Sequence, residues 1–374
     1  MPDLTIKPNA GSGNKVIIQD QAGGSVLTTA DSGATIVNAT LTTPIISTGS
    51  APGSPTEGQF YYNTYTNTFN FYNGVAWEQI TTGAHGGIVT TYESGGSRYV
   101  VHKFLHTGIF TPLTNITAEW LIVAGGGGSG YGQVSSEAGS GGGAGGFRTG
   151  TTMSFTANEN YLMTVGYGGG GADYHQSTNT TRGRGGNSSI QGPGIFPVIC
   201  EGGGGGVKYG QEGADGGSGS GGSDSGGHNG GKPFPIEQMN AGSGNKAHGE
   251  TTTVQGWVGG SSSVNSSSGG GGGASAAGQA AQSGAGGYGG AGAASDIVLK
   301  GTNVTYAGGG GGGHSSTGGA GGAGGGGAGG GGGNNWGIPG APFTGGGAGG
   351  PWTTNAERMG SQGGSGIVVI RYTI

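Results

Sequence analysis

Residues 120–128 read WLIVAGGGG, and two further copies of this pattern stand at residues 198–206 (VICEGGGGG) and 304–313 (VTYAGGGGGG). In each copy a short apolar stretch runs directly into glycines. Apolar stretches rich in β-branched and aromatic residues predict strands. The chain closes on a related stretch, Gly366 to Tyr372, without a glycine run after it. We therefore expect short strands that lead into glycine segments, and a final strand that seals the domain.

Glycine accounts for 103 of the 374 residues, against a usual share of about 7%. A glycine in a helix or an ordinary strand is unfavourable by roughly 0.5–1 kcal/mol relative to alanine. In the extended threefold conformation, every backbone N–H and C=O points outward, and chains without side chains approach closely enough to exchange hydrogen bonds. The glycine runs therefore predict packed polyglycine II helices with a core made of backbone.

Flexible linkers are the alternative interpretation of these runs, because Gly/Ser segments usually behave as random coils. Two features favour order. The runs repeatedly adjoin apolar strands, and the inserts between them contain Tyr, Trp, Phe and His, which linkers generally lack. Collagen is excluded, since the chain has only 13 prolines and the stretch GGAGGAGGGGAGGGGG from Gly318 breaks the required period of three.

Charge and cysteine content narrow the classes of partner. The chain carries 13 basic and 18 acidic residues, a net charge of -5, which disfavours nucleic-acid binding through a basic surface. The single Cys200 excludes an intrachain disulfide framework. The longest apolar run, Ile195–Cys200, is far too short to span a bilayer, and residues 1–4 show no signal-peptide character. We expect no nucleic acid partner, no membrane insertion and no export signal.

Two shifts of composition divide the chain into three predicted domains. Residues 1–50 alternate short β-branched stretches with Gly/Asn/Asp turns, which predicts strands of about four residues. Because such strands have no long partner in the same chain, they are most easily stabilised by winding around other copies of the chain. We expect an intertwined, trimeric β shaft. Its predicted strands are Leu4–Lys7, Lys15–Ile18, Val26–Thr29, Ala34–Val37 and Pro44–Ile46.

The second predicted domain, residues 51–118, is a small β collar, and the third, residues 119–374, is the glycine-rich polyglycine II domain. The predicted fold class is thus all-β and irregular. Asn73-Gly74 in the collar is a strong signal for a tight hairpin turn. The predicted collar strands are Gln59–Asn63, Thr68–Tyr72 and Val75–Trp77, followed by a further pair, Arg98–Phe104 and Gly108–Pro112.

No catalytic grouping can be assembled from the sequence. The segment Gly226–Lys232 fits the start of a phosphate-binding loop, but Pro233 stands where the metal-binding Ser or Thr is needed. Cys200 lies in an apolar stretch, where cysteine behaves as a small hydrophobic residue. His102 and His106 could face one side and gather metals on a trimer axis, yet no acidic or thiolate ligand accompanies them. We expect no catalysis, no cofactor and no metal.

Several stretches together resemble bacteriophage tail fibre or adhesin proteins with a glycine-rich distal domain, and the resemblance covers most of the chain. The shaft-like stretches are Leu4–Asn9 and Asn14–Asp20, and the collar-like ones are Gly58–Thr64 and Tyr72–Trp77. The stretches that resemble the glycine-rich domain are Trp120–Gly126, Gly142–Arg148, Gly185–Ile190, Tyr306–Gly308 and Gly364–Tyr372. The large insert Val207–Gly260 departs from the pattern of these proteins.

This resemblance implies a tail fibre of the virion, made in the host cytoplasm and joined to other tail proteins through its N-terminus. It also implies polyglycine II helices whose intervening loops bind a receptor on the host bacterium, either an outer-membrane protein or a polysaccharide. One alternative is a structural fibre or decoration protein without a specific receptor. Another is a flexible cellular glycine-rich protein that binds RNA or wall polymers.

Inserts that combine aromatic and polar residues are the best candidates for receptor contact, because Tyr and Trp offer rigid amphipathic area with few rotatable bonds. The alternative role for each of these residues is a lid over the end of the glycine helices. The candidates are Tyr131, Tyr174, His175, Tyr209, Phe234, Trp257, Trp336 and Trp352.

Overall fold

The structure is a computed structural model, and the chain in it separates into two compact units, Met1–Thr82 and Gly83–Ile374. It describes residues 17–19, 25–29, 35–37, 45–47, 51–63, 68–79, 83–132, 137–173, 183–223, 227–235, 250, 254–262, 266–333, 335–354 and 357–374. The three-domain division differs from these units. A strand that precedes the predicted boundary at 50 pairs with one that follows it, and the strands of residues 84–112 pair with strands of the glycine-rich part.

The described residues of the first unit form two small sheets. A three-stranded antiparallel sheet has the order β1-β2-β3, and a four-stranded sheet has the order β4-β5-β6-β7. The strands are β1 (Ile17–Gln19), β2 (Ser25–Thr29), β3 (Thr35–Val37), β4 (Ile45–Ser47), β5 (Phe60–Asn63), β6 (Thr68–Tyr72) and β7 (Trp77–Gln79). The predicted strand Leu4–Lys7 lies outside the described residues, and pairing between copies of the chain stays a prediction.

The tight turn at Asn73-Gly74 is confirmed. The Asn73 side-chain oxygen accepts hydrogen bonds from the backbone N–H groups of Val75 (2.9 Å) and Ala76 (2.8 Å). Gly74 has a φ of 93°, a conformation that residues with a Cβ rarely adopt. The turn brings Trp77 back beside Tyr72 in the register of β6 and β7.

The second unit is built on two five-stranded sheets, β14-β12-β21-β10-β9 and β17-β16-β15-β11-β8. Buried side chains from both sheets, among them Phe110, Trp120, Met163, Ile190 and Ile370, form one hydrophobic core. The strands are β8 (Ala84–His85), β9 (Ile88–Ser94), β10 (Ser97–Phe104), β11 (Gly108–Pro112), β12 (Ile116–Val123), β13 (Glu137–Ala138), β14 (Phe147–Phe155), β15 (Tyr161–Thr164), β16 (Ser188–Gly192), β17 (Ile195–Cys200), β18 (Ala293–Leu299), β19 (Thr302–Tyr306), β20 (Trp352–Thr353) and β21 (Ile367–Thr373).

The predicted pairing of residues 98–104 with 108–112 is wrong, although both strands exist. β10 pairs with β9 and β21, whereas β11 pairs with β15 and β8. Residues 105–107 therefore carry the chain from one sheet to the other. This crossing lets the side chains of β10 and β11 meet across the core, as His102 and Phe110 do at a ring separation of 5.0 Å.

The sheet that contains β12 and β21 is buried on both faces. Its second face packs Leu121, Val123 and Val369 against Ile297 and Tyr306 of the β18–β19 hairpin. Burial on both faces explains why β21 reads as an almost continuous apolar run rather than as an alternating one.

Glycine-rich segments continue from the ends of the sandwich strands. We call these segments together the glycine array: it comprises the described residues between 125 and 366 that do not belong to a strand. Along residues 125–130, successive N–H groups donate to three different segments, and residues three apart donate to the same one. The donor–acceptor pairs are Gly125–Gly186 and Gly128–Gly183, Gly126–Gly364 and Ser129–Ser361, and Gly127–Gly143 and Gly130–Ser140. This repeat of three is that of a polyglycine II helix.

The carbonyls of the same segment accept from three more neighbours, around residues 169–172, 203–206 and 348. Residues 308–313 show the same repeat, and their partners at 324–327 run parallel to them while those at 287–290 run antiparallel. A helix in the centre of the array is thus hydrogen-bonded in all directions around its axis. The prediction of packed polyglycine II helices is confirmed, and the flexible-linker interpretation is wrong for these segments.

The segments of the array run alternately away from the sandwich and back to it. The registers of their hydrogen bonds place one set of turns together at the end far from the sandwich, which we call the turn end. The described residues of these turns are 131–132, 137–138, 208–212, 223, 227–228, 262, 266–267, 282–285, 314–317, 331–333, 335–336, 351–354 and 357–359. Nowhere in the described ranges is there a helix of the length and apolar character needed to cross a membrane.

Candidate functional site

The turn end is the candidate site because it presents exposed aromatic side chains on a backbone fixed by the array. Trp336 is 52% exposed. The preceding Asn335 donates from its side-chain amide to the carbonyl of Gly332 (2.8 Å), and its own carbonyl accepts from the N–H of Trp352 (3.0 Å). On the other side of Trp336, the N–H of Ile338 donates to the carbonyl of Ala328 (2.8 Å), so the backbone that carries Trp336 is held on both sides.

Arg358 lies over the ring of Trp336, with its guanidinium carbon 4.9 Å from the ring centroid. Its backbone is fixed by a reciprocal pair of hydrogen bonds with Gly132, both 2.9 Å long. The Nε of Arg358 is buried, and no described residue forms a hydrogen bond with it. A cation–π contact of this kind is worth about 0.5–1 kcal/mol at an exposed site, so it helps to hold the indole in one orientation.

Two further exposed apolar residues, Ile338 and Met359, lie on the same pair of segments. Residues 336–340 run beside residues 358–362, joined by the hydrogen bonds from Ser361 Oγ to the carbonyl of Gly337 (2.6 Å) and from Gly340 N–H to the carbonyl of Gln362 (2.9 Å). We call Trp336, Ile338, Arg358 and Met359 the Trp336 patch. Its composition of Trp, Met and Arg is enriched at protein interfaces relative to the rest of the surface.

Two of the eight predicted contact residues are buried instead of exposed. Tyr131 is 6% exposed and Trp352 2% exposed. Trp352 belongs to β20, which pairs with β13 across the turn end. Their aromatic area is used to cover the ends of the glycine helices, which agrees with the lid alternative, and neither side chain offers a contact surface on this chain.

The other predicted residues that the structure describes are spread over the second unit. Tyr209 is exposed at a turn of the turn end, and Trp257 is exposed on residues 254–262, nearer the sandwich. Phe234 is half-buried beneath Arg184. Tyr174 and His175 lie outside the described residues. The structure thus leaves Trp336 and Tyr209 as the exposed aromatic candidates at the turn end.

Sequence reasoning missed Arg358, Ile338 and Met359. Nothing in the spacing of residues 336 and 358 shows that they meet, because the contact depends on how two glycine segments are packed side by side. The only signal for this surface in the sequence was the triplet Trp336-Gly337-Ile338, in which two large apolar residues stand inside a Gly/Pro-rich stretch.

The two histidines considered for a metal site lie in different environments. His102 is fully buried in β10, whereas His106 is exposed in the connection to β11 and contacts the ring of Phe343. Among the residues with described positions, no group of three or more His, Cys, Asp and Glu could hold a metal ion.

His102 is instead a buried hydrogen-bonding group of the core. Its Nδ1 lies 2.7 Å from the carbonyl oxygen of Gly86, so Nδ1 carries the proton and donates to this carbonyl. Its Nε2 lies 3.0 Å from the Tyr372 hydroxyl oxygen and accepts a hydrogen bond from that hydroxyl. Burial lowers the pKa of His102, with a smaller lowering from the charge of His85, against the opposing effect of the Gly86 hydrogen bond. The folded protein therefore holds this imidazole neutral.

We expect the second unit to lose stability as the pH falls below 6.5, the ordinary pKa of histidine. Between 6.5 and the lowered pKa of His102, the unfolded chain binds a proton at this residue that the folded chain does not, so acid favours unfolding. The slope for one such group is at most about 1.4 kcal/mol per pH unit. Denaturant unfolding at pH 7.5 and pH 5.5 measures it. His102→Gln should reduce the slope, and the exposed His106→Gln should keep it; equal slopes in both variants would contradict the assignment.

Cys200 lies in the core between the two sheets, and its Sγ is 3.4 Å from the carbonyl oxygen of Ile122. Complete burial raises the pKa of the thiol, which is therefore protonated at neutral pH. A buried, protonated thiol packs as a small apolar group, in agreement with the sequence-based interpretation.

A β-sandwich whose strands continue into hydrogen-bonded polyglycine II helices, closed at the far end by turns, defines a glycine-rich β protein in which backbone replaces much of the side-chain core. The chain belongs to the glycine-rich domain family, whose family model matches residues 105–373. No curated protein is similar enough in sequence to this chain to count as a match.

Proposed function

We propose that this chain is a bacteriophage tail fibre protein that attaches the virion to the surface of its host bacterium, with the turn end as the contact surface. The observation that carries the proposal is the Trp336 patch, which exposes an oriented Trp beside a half-buried Arg on turns held by the array. Trp and Arg are among the residues that contribute most to binding at interfaces.

The rigidity of the array supports this role. A binding loop that is ordered before contact loses less conformational entropy when it binds. At the turn end, isolated bridges join neighbouring turns, for example His314 with both Ser267 and Gly331. The turns can therefore present a preformed surface and still differ in sequence from one another.

In this proposal the N-terminal unit joins the chain to other tail proteins, and three copies associate along it. The short strands of residues 17–47 form only small sheets within one chain, and such sheets gain stability by packing on further copies. A mass by light scattering near three times the 35.8 kDa of one chain supports the trimer, and a monomeric mass contradicts it.

Competition with infection tests receptor binding. Purified chain, added to the host before the phage that carries the same chain, should reduce adsorption. The Trp336→Ala variant should compete at least about tenfold less well, because loss of a central aromatic contact costs roughly 2 kcal/mol or more. The measurement is the fraction of phage left unadsorbed as a function of competitor concentration.

Tyr167→Ala is the matched control, since Tyr167 is 72% exposed but lies at the sandwich end of the array, beside Gly186. It should compete like the unaltered chain. If the unaltered chain does not compete at all, the alternative of a structural fibre or decoration protein without a specific receptor is favoured. If Trp336→Ala competes fully, the Trp336 patch is not the contact surface.

A further inference from the structure

An open groove of about 580 Å³ lies on the side of the second unit, away from the Trp336 patch. The backbone of residues 213–214 and 230 lines it together with the side chains of Arg184, Glu212, Asp215, Asn229, Lys232 and Phe234. Its volume falls in the range of about 300–1,000 Å³ that small-molecule sites occupy.

The groove is bounded by backbone that the array holds in place. Gly213 N–H donates to the carbonyl of Asn229 (2.8 Å), and Gly216 N–H donates to that of Lys232 (3.2 Å). The carboxylate of Asp215 accepts the backbone N–H of Lys232 at 2.6 Å. A Cβ at Gly213 or Gly230 would overlap neighbouring backbone, so these segments are packed directly against the backbone of their neighbours.

Arg184 and Phe234 line the groove and contact each other. The guanidinium carbon of Arg184 is 4.4 Å from the centroid of the Phe234 ring. The guanidinium also pairs with Glu201 at 2.7 Å, which fixes it in this position. Phe234 thus gives the polar groove an apolar wall that is already ordered.

The groove is lined by charged side chains of both signs. They are the cations Arg184, which is paired with Glu201, and Lys232, and the carboxylates Glu212 and Asp215. The Asn229 amide, which is weakly hydrogen-bonded to Glu212 at 3.4 Å, adds both a donor and an acceptor. Among the residues that the structure describes, none forms an ion pair with the Lys232 ammonium. This combination of lining side chains disfavours a strongly anionic or cationic ligand. It suits a ligand with many groups that both donate and accept hydrogen bonds.

We propose that this groove binds a neutral oligosaccharide of about two sugar units. Sugar hydroxyls can accept from Lys232 and Asn229 and donate to Glu212, while a C–H face of the ring packs on Phe234. The groove is a second binding site that shares no residue with the Trp336 patch, and it holds or fails independently of the function proposed above.

Saturation-transfer NMR on the full chain tests this site with four neutral disaccharides: maltose, cellobiose, mannobiose and N,N′-diacetylchitobiose. At least one should bind with millimolar affinity or better, and 3′-sialyllactose, which is anionic, and glucosamine, which is cationic, should not bind in this groove. Phe234→Ala should abolish the signal. Glu212→Gln and Lys232→Gln should each weaken binding about tenfold, the effect of one hydrogen bond to a charged group.

Glu212 and Lys232 are exposed, so these two variants keep the melting temperature and separate loss of the site from loss of the fold. Trp336→Ala is the control at the turn end and should bind the disaccharide as the unaltered chain does. The proposal is overturned if none of the four disaccharides binds, or if binding survives in all three groove variants.

Discussion

Gly310→Val should unfold or strongly destabilise the glycine-rich unit. Gly310 donates to the carbonyl of Gly142 (3.0 Å) and accepts from the N–H of Gly271 (2.8 Å), so it lies in the middle of the array. A Cβ at this position would overlap the carbonyl group of Ala348. Since that carbonyl belongs to backbone, it cannot rotate away as a side chain would.

The expected loss in the free energy of unfolding is more than about 3 kcal/mol, the upper end of the usual range for overpacked cores. Backbone conformation adds little to it, because Gly310 does not have a positive φ and valine adopts extended conformations readily. Thermal unfolding followed by circular dichroism, together with amide exchange of the glycines, measures the loss.

Gly170→Val is the matched control. Gly170 also lies inside a glycine run, but a Cβ there would meet nothing within 4 Å. This variant should stay within about 0.5 kcal/mol of the unaltered chain, as most surface substitutions do. If Gly310→Val unfolds at the same temperature as Gly170→Val, the glycine segments do not pack as described.

Glu250→Ala should produce the second large loss. Arg148 and Glu250 form a buried two-point ion pair, with Nε to Oε1 at 2.7 Å and Nη2 to Oε2 at 2.8 Å. The remaining Nη1 of Arg148 donates to the carbonyl of Ile199 at 2.7 Å. The pair joins β14 to residue 250, which precedes the segment that enters the array at residue 254.

Removing one partner of a buried ion pair leaves an uncompensated buried charge and costs about 3–5 kcal/mol. We expect this loss for Glu250→Ala, measured by denaturant unfolding. The double variant Arg148→Met with Glu250→Leu should recover much of it, because no charge then stays buried.

The Arg184–Glu201 pair is a control of the same chemistry and the same 2.7 Å separation, but its side chains are about 30% exposed. Glu201→Ala should therefore cost no more than about 1 kcal/mol. Equal losses for Glu201→Ala and Glu250→Ala would show that burial is not what makes the Arg148 pair important.

The features of the fold that could be predicted from the sequence are those determined by residues adjacent to one another in the chain. The tight turn needs only Asn73 and Gly74, and the junctions at Val123, Cys200 and Tyr306 need only an apolar stretch followed by glycine. The threefold conformation also follows locally, since a run of glycines has few other ordered solutions.

The failures come from contacts between distant segments. The short connection of residues 105–107 is as compatible with a hairpin as with a crossing between sheets. Val100 and Val101, which are adjacent, are both buried because the sheet is covered on both faces, so alternation could not show which face was the core. Tyr131 and Trp352 resemble Trp336 in sequence, and only the packing of the turns decides which of them is exposed.

The composition of the two cores also gives them different thermal behaviour. Unfolding the sandwich exposes apolar side chains, whose hydration raises the heat capacity, whereas unfolding the array exposes mainly peptide groups, whose hydration lowers it. The stability of the array therefore varies less steeply with temperature than that of an ordinary core. Cooling should therefore weaken the glycine array less than it weakens the sandwich.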